Sequence, residues 1–245
     1  WQLPEAVTEQ ARRGDGWVKL VGDWIDRSVG DLAPLWSDDV LVAAIAAAHA
    51  EGARVTAHVF GEDALPGLIK AGIDCIEHGT FIDDEGLELL LKRDVPCVPA
   101  LYFEKASILR GPEFGLPQSV IDGHQEMLDG GTASALRILR AGGRIGLGGD
   151  YGFGWNPHGD YAREISFFVK DVGFTPLEAI MCATKTGAEI MGRSHEFGTV
   201  ESGKLADLLI VDGDVIKDIA LLEDRKRFIA VMQGGVIKAG QLASE

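Results

Sequence analysis

Apolar runs of strand length alternate with helix-length segments from Trp17 to Asp150. That alternation restricts the chain to an α/β fold with a parallel sheet covered by helices. The strand-like runs are Trp17–Val21, Val55–His58, Ile73–His78, Val95–Leu101 and Arg144–Gly149. Helical spacing falls between them, in Asp38–His49, Asp63–Lys70, Glu85–Lys92 behind the acidic cap Asp83-Asp84, and Pro117–Ala141. Two more helices are predicted over Tyr161–Val172 and Pro176–Met191. The second opens with Thr175 as N-cap and Pro176 at the first helical position.

Three of the strand-like runs end on a residue type that binds metals: Val55-Thr-Ala-His58, Cys75-Ile-Glu-His78 and Arg144-Ile-Gly-Leu-Gly-Gly-Asp150. In a parallel (β/α) barrel the C-terminal strand ends converge on one face, so these residues can meet around one ion. Two imidazoles and a carboxylate there suit a divalent metal with an open position for water. Taken singly, each histidine reads as a half-buried imidazole bonded to a carbonyl; the coincidence of three strand ends favours a site. Lys19, inside the apolar run Trp17–Val21, must be paired, deprotonated or modified if it is buried. Its other reading is an outward side chain whose ammonium reaches water between helices.

With 245 residues and 46% hydrophobic content, the chain holds enough apolar material for about one domain plus an appendage. A net charge of −15 with no concentration of Lys and Arg argues against nucleic acid and anionic membrane surfaces as partners. Cys75, Cys97 and Cys182 lie in apolar stretches and read as small buried hydrophobes in a reducing, cytoplasmic setting. After Gly198 the pattern changes to β-type runs, Leu208–Val211 and Phe228–Met232, with a Gln233-Gly-Gly235 turn leading into Val236–Ala239. Two units are therefore expected: residues 1–197 as the βα unit and 198–245 as a small antiparallel tail.

These residues carry a resemblance. Trp17-Val-Lys19, Thr56-Ala-His58, Ala71-Gly-Ile-Asp-Cys-Ile-Glu-His-Gly-Thr80, Val98-Pro-Ala-Leu-Tyr102 and Gly148-Gly-Asp150 are similar to the amidohydrolase superfamily, in its imidazolonepropionase-like and prolidase-like branch. The likeness continues through Gly173-Phe-Thr-Pro-Leu-Glu-Ala-Ile180, Ala183-Thr184 and Gly203-Lys-Leu-Ala-Asp-Leu-Leu-Ile-Val-Asp212. It implies the C-terminal part of a (β/α)8 TIM-like barrel, about strands four to eight, with a small β-sandwich tail. It also implies metal ligands at Lys19, His58, His78 and Asp150, with Lys19 carboxylated and able to bridge two ions. Asp150 would act as general base, and Tyr102 would contact substrate. Apart from the resemblance, His158 in Trp155-Asn-Pro-His-Gly-Asp160 reads either as a residue supporting the site or touching substrate near Asp150, or as a turn-and-cap element. The implied cofactor is one or two divalent ions, zinc first, with cobalt or manganese as substitutes.

The activity so implied is hydrolysis of an amide-type C–N bond, in an amide, urea, carbamate or peptide. The alternatives are a prolidase-like dipeptidase, which needs a clamp for a substrate carboxylate, and a non-catalytic scaffold protein. The superfamily's first strand carries a His-any-His pair that this sequence lacks. The expected partners are a small-molecule or dipeptide-like substrate, an N-terminal portion or second chain bearing that pair, and further copies in a homo-oligomer. Asp23 and Asp26 stand where relatives often have a Gly-rich segment. His49, His124 and His195 are expected to lie without partners, and no role is assigned to them.

Overall fold

A computed structural model describes residues 2–26 and 31–240. The chain opens with α1 (Leu3–Arg13), then β1 (Trp17–Val21) and a hairpin of β2 (Asp23–Asp26) and β3 (Asp31–Pro34). Three crossovers follow: α2 (Asp38–Ala50) to β4 (Arg54–Val59), α3 (Leu65–Ala71) to β5 (Cys75–His78) and α4 (Asp84–Arg93) to β6 (Cys97–Val98); then come α5 (Leu101–Arg110) and α6 (Gln118–Arg140). Strands β1, β4, β5 and β6 hydrogen-bond in that order, all parallel. Sequential strands joined by helices and lying side by side are the outcome the alternating pattern predicts.

The core lies between this sheet and its helices. In α2, Leu41, Ala44, Ile45 and Ala48 fall at i, i+3, i+4 and i+7, and all four are buried. They join Val18 and Leu20 of β1, Val55, Ala57 and Val59 of β4, and Leu65, Leu68 and Ile69 of α3 in one apolar cluster. Asp83 caps α4, its carboxylate accepting from Gly86 N at 2.7 Å. Among the described residues no helix is long and apolar enough to cross a membrane. The three cysteines are free and buried, and burial pushes the Cys75 and Cys182 thiols up to about 12.

Beyond α6 come α7 (Ala162–Phe167) with a π-helical turn to Val172, then α8 (Pro176–Met181), a second such turn, and α9 (Gly187–Ile190). Thr175 and Glu178 form a reciprocal capping box at the start of α8. The last unit is an antiparallel sheet of β7 (Leu208–Val211), β8 (Phe228–Gln233) and β9 (Val236–Gly240). Gly234 and Gly235, both at positive φ (55° and 80°), make the β8–β9 turn that two left-handed residues favour. Residues 241–245 of the expected tail lie outside the described residues.

Three expectations are corrected. The run Arg144–Gly149 forms only a single parallel bridge, Cys97 with Ile145, rather than a strand. Gly146 and Gly148 carry no side chain to pack on a pleated surface, and the described residues offer the run only one neighbouring strand. The run Val95–Leu101 shortens to Cys97–Val98 because Pro96 and Pro99 cannot donate to a ladder, and Leu101 already begins α5. Finally α1 and the β2–β3 hairpin, absent from the pattern reading, are present.

Ile76 of β5 is wholly buried between the sheet and its helices. Ile76→Ala is expected to cost about 2–5 kcal/mol, read as a lower denaturant midpoint at unchanged slope in the full-length protein.

Candidate functional site

Register decides which side chains share a face. Lys19 pairs with Thr56, and His58 with Glu77. Along β1 and β4 the alternate residues Val18, Leu20, Val55, Ala57 and Val59 are buried in the helix-facing core, so Lys19, Thr56, His58 and Glu77 occupy the opposite face. His78 pairs with Val59, and strict alternation would turn it toward the helices. Its φ of 67° breaks the alternation and brings its ring to 4.6 Å from that of His58, edge to face. Ala100 and Asp150, past the ends of the next two runs, are also left-handed (54° and 45°). A non-glycine residue in this region costs about 1–3 kcal/mol.

Backbone bonds pin the strand ends. Gly22 N donates to His58 O at 2.8 Å, and Gly79 N donates to Val59 O at 2.9 Å. The buried Asp23 carboxylate accepts from Phe60 N at 3.0 Å and from Gly61 N at 2.5 Å, so it grips the turn that follows His58. A Cβ on Gly22 would lie 2.8 Å from Leu68 Cδ1, which explains the glycine at this close approach. The departure noted at Asp23 is thus a structural clamp behind a candidate ligand. The side chain of Asp26 lies outside the described residues.

Lys19 is half-exposed and ion-pairs with Glu77, whose other oxygen accepts from Thr56 Oγ1 at 3.0 Å. Lys19 is thus paired without being buried, on the face away from the helices. Glu77, which sequence reasoning passed over, sits next to His78 in the motif that was singled out. Burial pushes the His58 imidazole down to about 4, Lys19 adding to the effect and Glu77 opposing it. Burial, then His58 and Lys19, push His78 down to about 3. Both rings are therefore neutral near pH 7, and each Nε2 is buried without a hydrogen-bond partner. Asp150 keeps part of its surface in solvent, but burial of its carboxyl raises its pKa, Lys19 opposing and Glu77 adding.

Adjacent neutral imidazoles with unused ring nitrogens fit a divalent ion, which takes histidine only in its neutral form. Among the described residues, however, no group of three or more His, Cys, Asp or Glu side chains converges closely enough to hold one. The fold brings His58 and His78 together, and Lys19 lies within electrostatic reach of both rings and, separately, of Asp150.

Tyr102 lies in the first turn of α5, where sequence reasoning left open a loop aromatic. Its hydroxyl accepts from Arg163 Nη1 at 3.2 Å, and its backbone N donates to Glu164 Oε2 at 2.9 Å. His158 is exposed, 3.4 Å from the Tyr161 hydroxyl. A cavity of about 880 Å³ lies alongside, lined by Tyr151, Tyr161, Arg163, Glu164, Arg225 and Phe228 among others; Lys19, His58, His78 and Asp150 do not line it. The remaining histidines have partners after all. His49 meets Asp74 at 2.8 Å, His124 meets the buried Glu104 at 2.5 Å, and His195 meets Glu196 at 3.4 Å. These partners are distant in sequence for His49 and His124, so spacing could not reveal them.

Glu164 is buried, and burial raises its pKa to about 8 against the opposing backbone bonds from Tyr102 and Leu101. The folded state therefore retains a proton that the unfolded chain loses above the ordinary glutamate value near 4.5. This contribution to stability is complete below that value and fades as pH rises toward 8. Glu164→Gln is expected to flatten this decline, measured as urea midpoints at acid and mildly alkaline pH.

A profile of the amidohydrolase family matches residues 30–238. An uncharacterized protein of Mycobacterium tuberculosis is 75% identical over 100 residues, 41% of this chain and 27% of that protein. Ochratoxinase of Aspergillus niger is 27% identical over 242 residues, 98% of this chain and 49% of the enzyme. The chain thus spans about half the length of that relative or less. The crystal structure of a Xaa-Pro dipeptidase with bound methionine in the active site superimposes with a TM-score of 0.85 at 27% identity, covering 98% of this chain and 58% of the dipeptidase. By the family profile, which extends over most of its length, the chain belongs to the amidohydrolase family.

Proposed function

We propose that the protein is a metal-dependent hydrolase of an amide-type C–N bond, in an amide, urea, carbamate or peptide. The observation that carries this reading is the pair of neutral imidazoles of the half-buried His58 and the buried His78, side by side with both Nε2 atoms buried and unpartnered. Residues 1–197 would supply about strands four to eight of a (β/α)8 barrel, and 198–245 part of a small β-sandwich. A His-any-His pair from another segment or chain would complete the ligand set, and a cytoplasmic homo-oligomer is the expected state.

Lys19, His58, His78 and Asp150 would hold one or two divalent ions, zinc first and cobalt or manganese next. When bound, such an ion lowers the pKa of its water from roughly 15.7 to about 7 and polarises the scissile carbonyl. Asp150 would take the proton of the attacking water and hand it to the leaving nitrogen. The present Lys19–Glu77 attraction belongs to the ammonium form. As a carbamate, Lys19 would set two anions side by side, an arrangement stable only with cations between them. His158, on the loop beyond Asp150, would touch substrate. A non-catalytic scaffold is the weaker reading, since desolvating two imidazoles without partners costs stability and earns nothing without a ligand.

A dipeptidase is favoured by one contact. Arg163 donates to the Tyr102 hydroxyl, so a cation and a phenol stand together as a clamp for a substrate carboxylate.

The full-length protein is expected to carry stoichiometric zinc, cobalt or manganese, and His78→Ala to lose it; metal-free protein by elemental analysis would sink the hydrolase reading. Asp150→Asn is expected to keep metal yet lose about 10²–10⁴ in turnover. Arg163→Met is expected to raise KM about 10–100-fold for a dipeptide with a free carboxylate, and to leave the C-terminally amidated dipeptide unchanged.

A further inference from the structure

The loop that follows Asp150 closes on a residue no motif pointed to. Gly152 N donates to Asn156 O at 3.0 Å, and Asn156 N donates to Phe153 O at 3.0 Å, which ties residues 152–156 into a tight turn. Phe153 and Gly154 at its tip are exposed, while Asn156 is wholly buried. Its side chain turns back to the start of the loop. Nδ2 donates to Gly149 O at 2.6 Å and to Asp150 O at 3.3 Å.

Those two carbonyls belong to the peptide planes immediately before and after the Asp150 Cα. Holding both planes from one amide group fixes φ and ψ of Asp150, and with them the direction of its Cα–Cβ bond. The φ of Asp150 is 45°, a conformation that a non-glycine residue keeps only when its surroundings over-determine it. Tyr151 adds a second restraint: a Cβ on Gly149 would lie 2.2 Å from its ring. Asn156 Oδ1, meanwhile, is buried without a partner. An orphaned buried acceptor costs about 1–3 kcal/mol, so the residue is poorly explained as a device for stability alone. Its two donors are the part in use.

We propose that Asn156 is a positioning residue for Asp150, aiming the carboxylate by fixing the peptide planes on either side of it. The inference rests on the reading of Asp150 as a metal ligand given above. It is tested in the full-length protein by Co²⁺ affinity, measured in competition with a chelator, through a double-mutant cycle. Asn156→Ala is expected to weaken Co²⁺ binding about 10–100-fold, the usual effect of losing a group that orients a ligand. Asn156→Asp, similar in shape but without the donor, is expected to do the same. In an Asp150→Ala background, adding Asn156→Ala is expected to change affinity by no more than about twofold. Asn156→Ser, which keeps one donor, serves in the same cycle if Asn156→Ala does not fold, and is expected to fall between.

The proposal is overturned if Asp150→Ala weakens Co²⁺ binding while Asn156→Ala and Asn156→Asp leave it unchanged. It is also overturned if Asn156→Ala weakens binding equally in both backgrounds, since its effect would then not pass through Asp150. If Asp150→Ala itself leaves affinity intact, the ligand assignment fails first and this inference fails with it.

Discussion

The parallel register of β1, β4 and β5 is the constraint on which the candidate site depends. A one-residue slip would exchange the two faces of a strand. Lys19, Thr56, His58 and Glu77 would then meet the helices, and Val18, Val55 and Ala57 would lose their packing. Burial of these aliphatic residues against α2 and α3 holds the register, and polar residues on the other face inherit their positions from it. The Lys19–Glu77 pair spans β1 and β5 with Thr56 of β4 between, so the three strands share one polar row.

Register alone does not assemble the site, because alternation assigns His78 to the wrong face. The left-handed turn at its own residue corrects this and puts two imidazoles edge to face. Strain and unmet polar capacity then gather in the same region. Among the described residues, the buried side-chain polar atoms without partners belong to His58, His78, Asn156, Glu164 and Ser166. Three of these lie at or just beyond strand-like runs, and Glu164 lies behind α5, accepting from its first turn where the left-handed Ala100 supplies no side-chain cap. Such groups are costly in an ordinary core. The other two, Glu164 and Ser166, belong to α7.

Much of the fold was legible in the sequence because its causes are local. Alternating apolar runs, the four-residue apolar stripe of α2, the Asp83 and Thr175 caps and the Gly234-Gly235 turn each carry their own instruction within a few residues. The failures were local conflicts settled elsewhere. Arg144–Gly149 has strand-like composition, but glycines and a single neighbouring strand leave it as one bridge. Val95–Leu101 was cut short by its two prolines. Helix α1 was passed over although Leu3, Val7 and Ala11 stand at helical spacing, and Val7 and Ala11 pack into the core.

Sequence by itself determined the α/β class and the location of His58 and His78 at strand ends, because period and residue type are properties of neighbouring positions. The family likeness is carried by the same residues. Only the tertiary structure decided that Lys19 pairs with Glu77, that His78 crosses to the face of His58, and that Asp23 grips the turn after His58. It also decided that Asn156 holds the backbone of Asp150 and that Arg163 stands on Tyr102. These contacts depend on dihedral angles and on strands and helices meeting across tens of residues. No spacing rule encodes them, since the energy that selects them comes from packing the whole sheet.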